Sequence, residues 1–144
     1  MKADRESLER VARRWIEEIW RPGDLATFDE LHAPEFRDRS AGGRGDTRDD
    51  YRRMLADFYA TFPDFHTTIE DLVADESRGT VAIRWTATGT HRGAYLGVAP
   101  TGRATRFAGI EIIRVREGRI VERWGEWDGM DLLLQLGLWT PGTS

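Results

Sequence analysis

The 144-residue sequence has no cysteine, which excludes disulfides, thiolate zinc sites and a cysteine nucleophile. Lysine is almost missing: Lys2 is the only one, so arginine carries the positive charge. No apolar run approaches the roughly 20 residues that a membrane helix needs. The segment Met1 to Ser7 lacks the apolar stretch of a secretory signal, and a cytoplasmic location is expected. There is no basic block, and the net charge is −4; both argue against a nucleic-acid partner, whose phosphates demand local positive charge. His32, His66 and His91 lack metal-ligand spacing, so no metal is expected. No Gly-x-Ser-x-Gly occurs, and Gly42-Gly43-Arg44-Gly45 does not follow a strand as a phosphate loop requires.

What remains is ordinary for a globular chain. With 40% hydrophobic and 32% charged residues, it reads as one domain over residues 1–144, long enough to bury a core. Residues 4–20 alternate as an amphipathic helix with Leu8, Val11, Ala12, Trp15, Ile16 and Ile19 on one side, stopped by Pro22-Gly23. A second helix follows Asp24 and ends before Pro34. Residues 36–46 read as a polar, Gly-rich loop with one brief strand. Thr47-Arg48-Asp49-Asp50 has the form of a capping box and opens a third helix that ends at Pro63-Asp64. The period then changes to two, predicting strands at 65–74, 80–91, 103–116 and 119–127, and a last helix covers about 130–136. Helices first and antiparallel strands afterwards give an α+β fold: a strongly curved sheet with three N-terminal helices over its concave side and a cavity between.

The segment from Gly109 to Asp128 is the richest in chemistry. A Glu117-Gly118 turn between two strands pairs Arg116 with Arg119. Strict alternation then puts Phe107, Gly109, Glu111, Ile113, Val115, Glu122, Trp124, Glu126 and Asp128 on one face. The opposite face receives Arg114, Arg116, Arg119 and Arg123 among Ile110, Ile112, Val121 and Trp127. An apolar face carrying carboxylates suits a pocket for proton chemistry. The arginine-and-aliphatic face is either a solvated surface or a sheet-to-sheet interface, and a homodimer is expected.

Residues 85–103 (WTATGTHRGAYLGVAPTGR) resemble the GTH-x-G-x-(F/Y)-x-G-x-x-PTG-(K/R) signature of the SnoaL-like polyketide cyclases. Phe62-Pro63-Asp64, the run GRIVERWGEWD ending at Asp128, and Leu133 to Gly137 are also similar to that family, so the likeness covers the whole chain. The resemblance implies a cone-shaped NTF2-like α+β barrel. It also implies cofactor-free intramolecular aldol ring closure on a hydrophobic, polyketide-like molecule, with hydroxylation, steroid-isomerase-like chemistry or non-catalytic binding as alternatives. Family members use an aspartate near the end of the last strand as acid/base, and Asp128 matches it. Many carry a histidine on the preceding strand, where Glu111 stands here.

The candidate catalytic residues are therefore Asp128, Glu111 and His91. Asp128 serves as acid/base, as N-cap of the last helix, or as both. Glu111 is a proton donor if it faces the cavity and a surface charge if it does not. His91 is a proton shuttle or a turn histidine bonding backbone. Candidate substrate-binding residues are Arg84, Trp124, Phe107, Trp15 and Tyr51. Arg84 either binds an anionic group or lies along a sheet edge, and the aromatics wall a flat ligand. Asp38 falls where steroid isomerases of the same broad fold carry their base, but its neighbours Arg37, Arg39 and Ser40 mark it as solvated.

Overall fold

Asp4 starts the first helix in the computed structural model, which describes residues 4–21 and 24–142. Its carboxylate accepts the Ser7 amide, and helix α1 runs Arg5–Arg14 before widening into a π-helical turn over Trp15–Ile19. The predicted apolar stripe is buried along its length, whereas the Pro22-Gly23 stop lies outside the described residues. Side chains hold the carbonyls of the wide turn: the Tyr59 hydroxyl donates to Ile19, and Thr67 Oγ1 donates to Ile16 at 2.9 Å. Helix α2 (Leu25–Leu31) is capped by Asp24. Helix α3 (Arg48–Thr61) opens on the capping box, with Thr47 and Asp50 bonding each other's backbone amides.

The strands are β1 (His32–Asp38), β2 (His66–Asp75), β3 (Thr80–Thr90), β4 (Ala104–Arg116) and β5 (Arg119–Trp127), followed by helix α4 (Gly129–Gln135). They form one sheet in the order β1-β5-β4-β3-β2. The stretch expected to hold only a brief strand is instead β1, and it pairs parallel to β5. The sheet is thus mixed rather than antiparallel. Pro34 and a register shift break the alternation of β1, which hides its strand character in the sequence. Further register shifts in β2 and β5 bend the sheet, and the helices pack their apolar faces into its concave side.

The β4–β5 hairpin decides what that concave side contains. Glu117 and Gly118 both have positive φ, 52° and 75°, the signature of a two-residue I′ turn. Arg116 pairs with Arg119 and Val115 with Ile120, as the turn dictates. The next pair is Arg114 with Glu122: one extra residue has entered β5. Ile120 and Val121 are both buried in succession, and beyond them every β5 side chain changes face. Arg123 and Trp127, expected outside, face in. Glu122, Trp124 and Glu126, expected inside, face out.

Candidate active site

The bulge brings Arg123 opposite Ile113 and next to Glu111, in the deepest part of the concave face. Its Nη2 and Nε donate to Glu111 Oε2 at 2.7 and 3.2 Å, and its Nη1 donates to Asp38 Oδ1 at 2.7 Å. All three side chains are 5% exposed or less. Asp38, at the end of β1, also accepts the Ser40 amide at 3.0 Å and Arg44 Nη2 at 2.6 Å. The loop after β1 is strapped to β5 by the Arg39 amide on the Arg123 carbonyl and the Gly125 amide on Ser40 Oγ. Gly125 is required here: a Cβ would collide with Arg123 Nη2 and Glu111 Oε2. The centre of the Tyr51 ring lies 5.2 Å from the Arg123 guanidinium carbon, a cation–π contact.

Burial pushes the Glu111 carboxyl up to about 7, against the opposing pull of Arg123 and with a further upward push from the Asp38 charge. Glu111 therefore sits near half-protonation at neutral pH. Both Arg123 bonds fall on Oε2, and Trp85, from the cavity wall, also faces the carboxyl. Burial also pulls His32 down to about 3. Neutral His32 donates from Nδ1 to the Phe28 carbonyl at 2.9 Å and stacks on the Phe28 ring.

Above this cluster lies a cavity of about 290 Å³. Ile16, Trp20, Met54 and Phe58 form its helical wall, and Phe65, Thr67, Trp85, Phe107 and Trp127 form its sheet wall. Glu111 and Arg123 make its polar end. Trp20 meets Phe58 and Phe65 edge-on at 5.8 and 6.1 Å, and Trp127 lies 5.4 Å from Phe107. Gly109 makes room for these rings, since a Cβ there would strike Trp85 and Trp127. Arg44, which shares Asp38 with Arg123, stands beside that polar end, and with Tyr95 and Leu96 it lines the passage to a more open pocket beside α3. Such a space fits a flat apolar molecule with one polar group under attack or held in place. Among the described residues, no group of three or more His, Asp or Glu side chains could hold a metal ion, and no helix is long and apolar enough to cross a membrane.

The structure separates the residues that sequence reasoning had gathered. Glu111 and Phe107 line the cavity. Asp128 does not: it is exposed, and its carboxylate accepts the Asp131 amide at 3.0 Å as the N-cap of α4. Trp124 is corrected to the outer face, 5.3 Å from the Arg114 guanidinium, because of the bulge. Arg84 is also outside, bonding Asp71 at 2.7 Å, since even-numbered positions of β3 alternate away from the core. Trp15 is fully buried in the core, and Tyr51 lies under Arg123 rather than on the cavity wall. His91 is buried beside Phe62, its Nδ1 accepting the Thr101 amide at 3.1 Å; it pins the loop that carries Tyr95 and Leu96.

Arg123 and Arg44 were missed, and Asp38, expected to be solvated, is buried. The adjacent aliphatic pair Ile120-Val121 was the available signal for Arg123, because two buried residues in a row mark a bulge in a strand that otherwise alternates. The polar neighbours that marked Asp38 as solvated turn outward while it turns in.

A family model described as SnoaL-like polyketide cyclase matches residues 10–136. Solved structures share the fold. IdmH from Streptomyces antibioticus, described as a candidate polyketide cyclase, is 34% identical, covering 90% of this chain and 98% of its own, with a TM-score of 0.78. TsrD from Streptomyces laurentii is 25% identical over 95% and 99% of the two chains, with a TM-score of 0.84. AclR from Streptomyces galilaeus, described as a candidate hydroxylase, is 24% identical over 97% and 87%, with a TM-score of 0.85; that likeness carries the fold alone. Among proteins of curated function, none matches significantly.

Proposed function

Because this chain belongs to the SnoaL-like polyketide cyclase family, we propose that it binds a hydrophobic, polyketide-like molecule in the aromatic cavity and closes a ring on it by a cofactor-independent aldol reaction. The observation that carries this reading is the buried Glu111 carboxyl, raised to about 7 and facing the cavity. A general acid/base works best when its pKa lies near the operating pH. In its ionised form Glu111 removes a proton from a methylene between two carbonyls. The resulting enolate, delocalised over two oxygens, attacks a third carbonyl of the same molecule and forms the carbon–carbon bond. The new alkoxide then takes up a proton, which Glu111 can return. Arg123 supplies fixed positive charge beside these anionic states.

Asp128 is the family-matched candidate, but its carboxylate is occupied at the start of α4 and exposed. Glu111 is therefore the acid/base in this reading, and Asp128 a cap. The outer strip of Ile110 and Ile112, 54% and 40% exposed, is assigned to the interface of a two-fold dimer. Light scattering should return about twice the chain mass of 16.5 kDa, and the single mass would remove that assignment.

The catalytic step can be tested without knowing the natural substrate. A panel of aromatic β-keto esters in deuterated water reports base action as deuterium entering the methylene, read by proton NMR. Exchange and ring closure should both depend on Glu111. Binding of the panel without enzyme-dependent exchange would favour a non-catalytic binding protein instead.

A further inference from the structure

We propose that the ligand of this cavity is an aromatic anion, whose single carboxylate or equivalent negative group accepts a charge-assisted bond from the Arg44 guanidinium. The proposal rests on the cavity being a ligand site and adds the charge of the ligand. Only two cations line the cavity, Arg44 and Arg123, among the described residues. Arg123 is enclosed: three of its bonds go to Glu111 and Asp38, and the Tyr51 ring covers it. Arg44 differs. Its Nη2 bonds Asp38 Oδ2, while among the described residues Nε and Nη1 meet no acceptor. Those two donors lie on opposite sides of the guanidinium, and either one can give a single charge-assisted bond to a carboxylate while Nη2 stays on Asp38.

Arg44 can meet a ligand without leaving Asp38, because Nη2 stays on the buried Oδ2 while Nε or Nη1 donates to the ligand. The Asp38 Oδ1 oxygen keeps Arg123 and the Ser40 amide whatever Arg44 does. Arg44 also lies where the inner cavity meets the outer pocket, so an anionic group there leaves the apolar body of the ligand among Trp20, Phe58, Phe107 and Trp127. Farther out the pocket favours an anion less, because Arg53 is already paired with Asp50 at 3.2 Å and Asp57 adds negative charge.

The charge balance points the same way. Two guanidiniums face two carboxylates, and burial raises the Glu111 carboxyl to about 7, which brings its acid form within reach of neutral pH. With Glu111 in its acid form, the cluster carries one excess positive charge, which an anionic ligand neutralises. The groups facing Glu111 are Arg123 from β5, Asp38 from β1, Tyr51 from α3 and Trp85 from β3. Glu111 is the one among them held near 7. Anion binding and Glu111 protonation should therefore favour each other.

Two fluorescent probes of similar shape test this: anilinonaphthalene sulfonate, an anion, and phenylnaphthylamine, which is neutral. Arg44→Gln should weaken the anion by about tenfold, the worth of one charge-assisted bond, and leave the neutral probe unchanged. Arg44→Lys should restore most of the anion affinity. Arg53→Gln, which removes the same charge from the outer pocket only, should alter neither probe. Wild-type affinity for the anion should fall as pH rises through about 7, and Glu111→Gln should flatten that fall. Neutral binding with an anion response that ignores Arg44, or that Arg53 shares equally, would overturn the inference alone. Failure of both probes to bind would overturn the ligand-site reading and this inference with it.

Discussion

Arginine meets carboxylate on both faces of the same sheet, at nearly the same distance. Outside, Arg84 bonds Asp71 and Arg114 bonds Glu122, each at 2.7 Å. Inside, Arg123 bonds Glu111 and Asp38, also at 2.7 Å. The difference is solvent. Arg84 and Asp71 are 52% and 64% exposed, against 5% or less for the inner three. Water screens the outer pairs, so they hold side chains loosely. The inner cluster has lost its water, and its members depend on one another for compensation. Chemistry is concentrated there because desolvation raises the proton affinity of Glu111. At Glu122 outside, a partial desolvation is outweighed by Arg39 and Arg114, which hold its carboxyl below the usual range.

The contrast should be largest in turnover. Glu111→Gln keeps the shape of the side chain and removes its basic oxygen, so deuterium exchange should fall by about 10²–10⁴. Glu122→Gln, on the outer face, should leave exchange near wild type. Equal losses from both would erase the distinction between the faces. Stability comes next. Arg123→Met leaves Asp38 and Glu111 buried without their shared cation and should cost about 3–5 kcal/mol in urea unfolding. Arg84→Met should cost under about 1 kcal/mol, because its pair is solvated.

The third effect is in pH dependence. Glu111 in the folded protein titrates near 7, above its ordinary value of 4.5, so the folded chain holds this proton longer than the unfolded one. Its contribution is full below pH 4.5 and is lost as pH rises through about 7, with a span of roughly 3 kcal/mol. The urea midpoint of the wild type should fall between about pH 5 and 8, and Glu111→Gln should remove much of that slope. An unchanged slope would mean that the inner carboxylate is as solvated as the outer ones. The smallest effect is expected at Asp128, where Asn caps nearly as well as Asp: both stability and exchange should survive Asp128→Asn. A large loss of exchange in that variant would move the acid/base role back to the residue the family pattern selects.

Much of the fold was legible because local physics wrote it. The apolar stripe of α1, the Thr47–Asp50 box opening α3, and the Glu117-Gly118 turn each specify structure within a few residues, and each is present in the fold. The strand β1 was obscured because its pairing partner is β5, more than eighty residues away, and its own alternation is broken. In the site, Glu111 stood out as an acid among aliphatic neighbours. Arg123 did not, because a single extra residue in β5 exchanges the two faces and alternation carries no warning beyond Ile120-Val121.

The sequence by itself thus determined the element types, the turn of the last hairpin, an acid on the inner face of β4 and the family likeness, all of which depend on short-range periodicity or contiguous motifs. Only the tertiary structure decided which arginine Glu111 meets, that Asp38 is buried beneath it, and that Arg44 faces the cavity with donors to spare. Those facts depend on how β1, β5 and the loop after β1 come together, and on the water their meeting excludes. The proton affinity of Glu111 follows from that exclusion, which no stretch of the chain encodes alone.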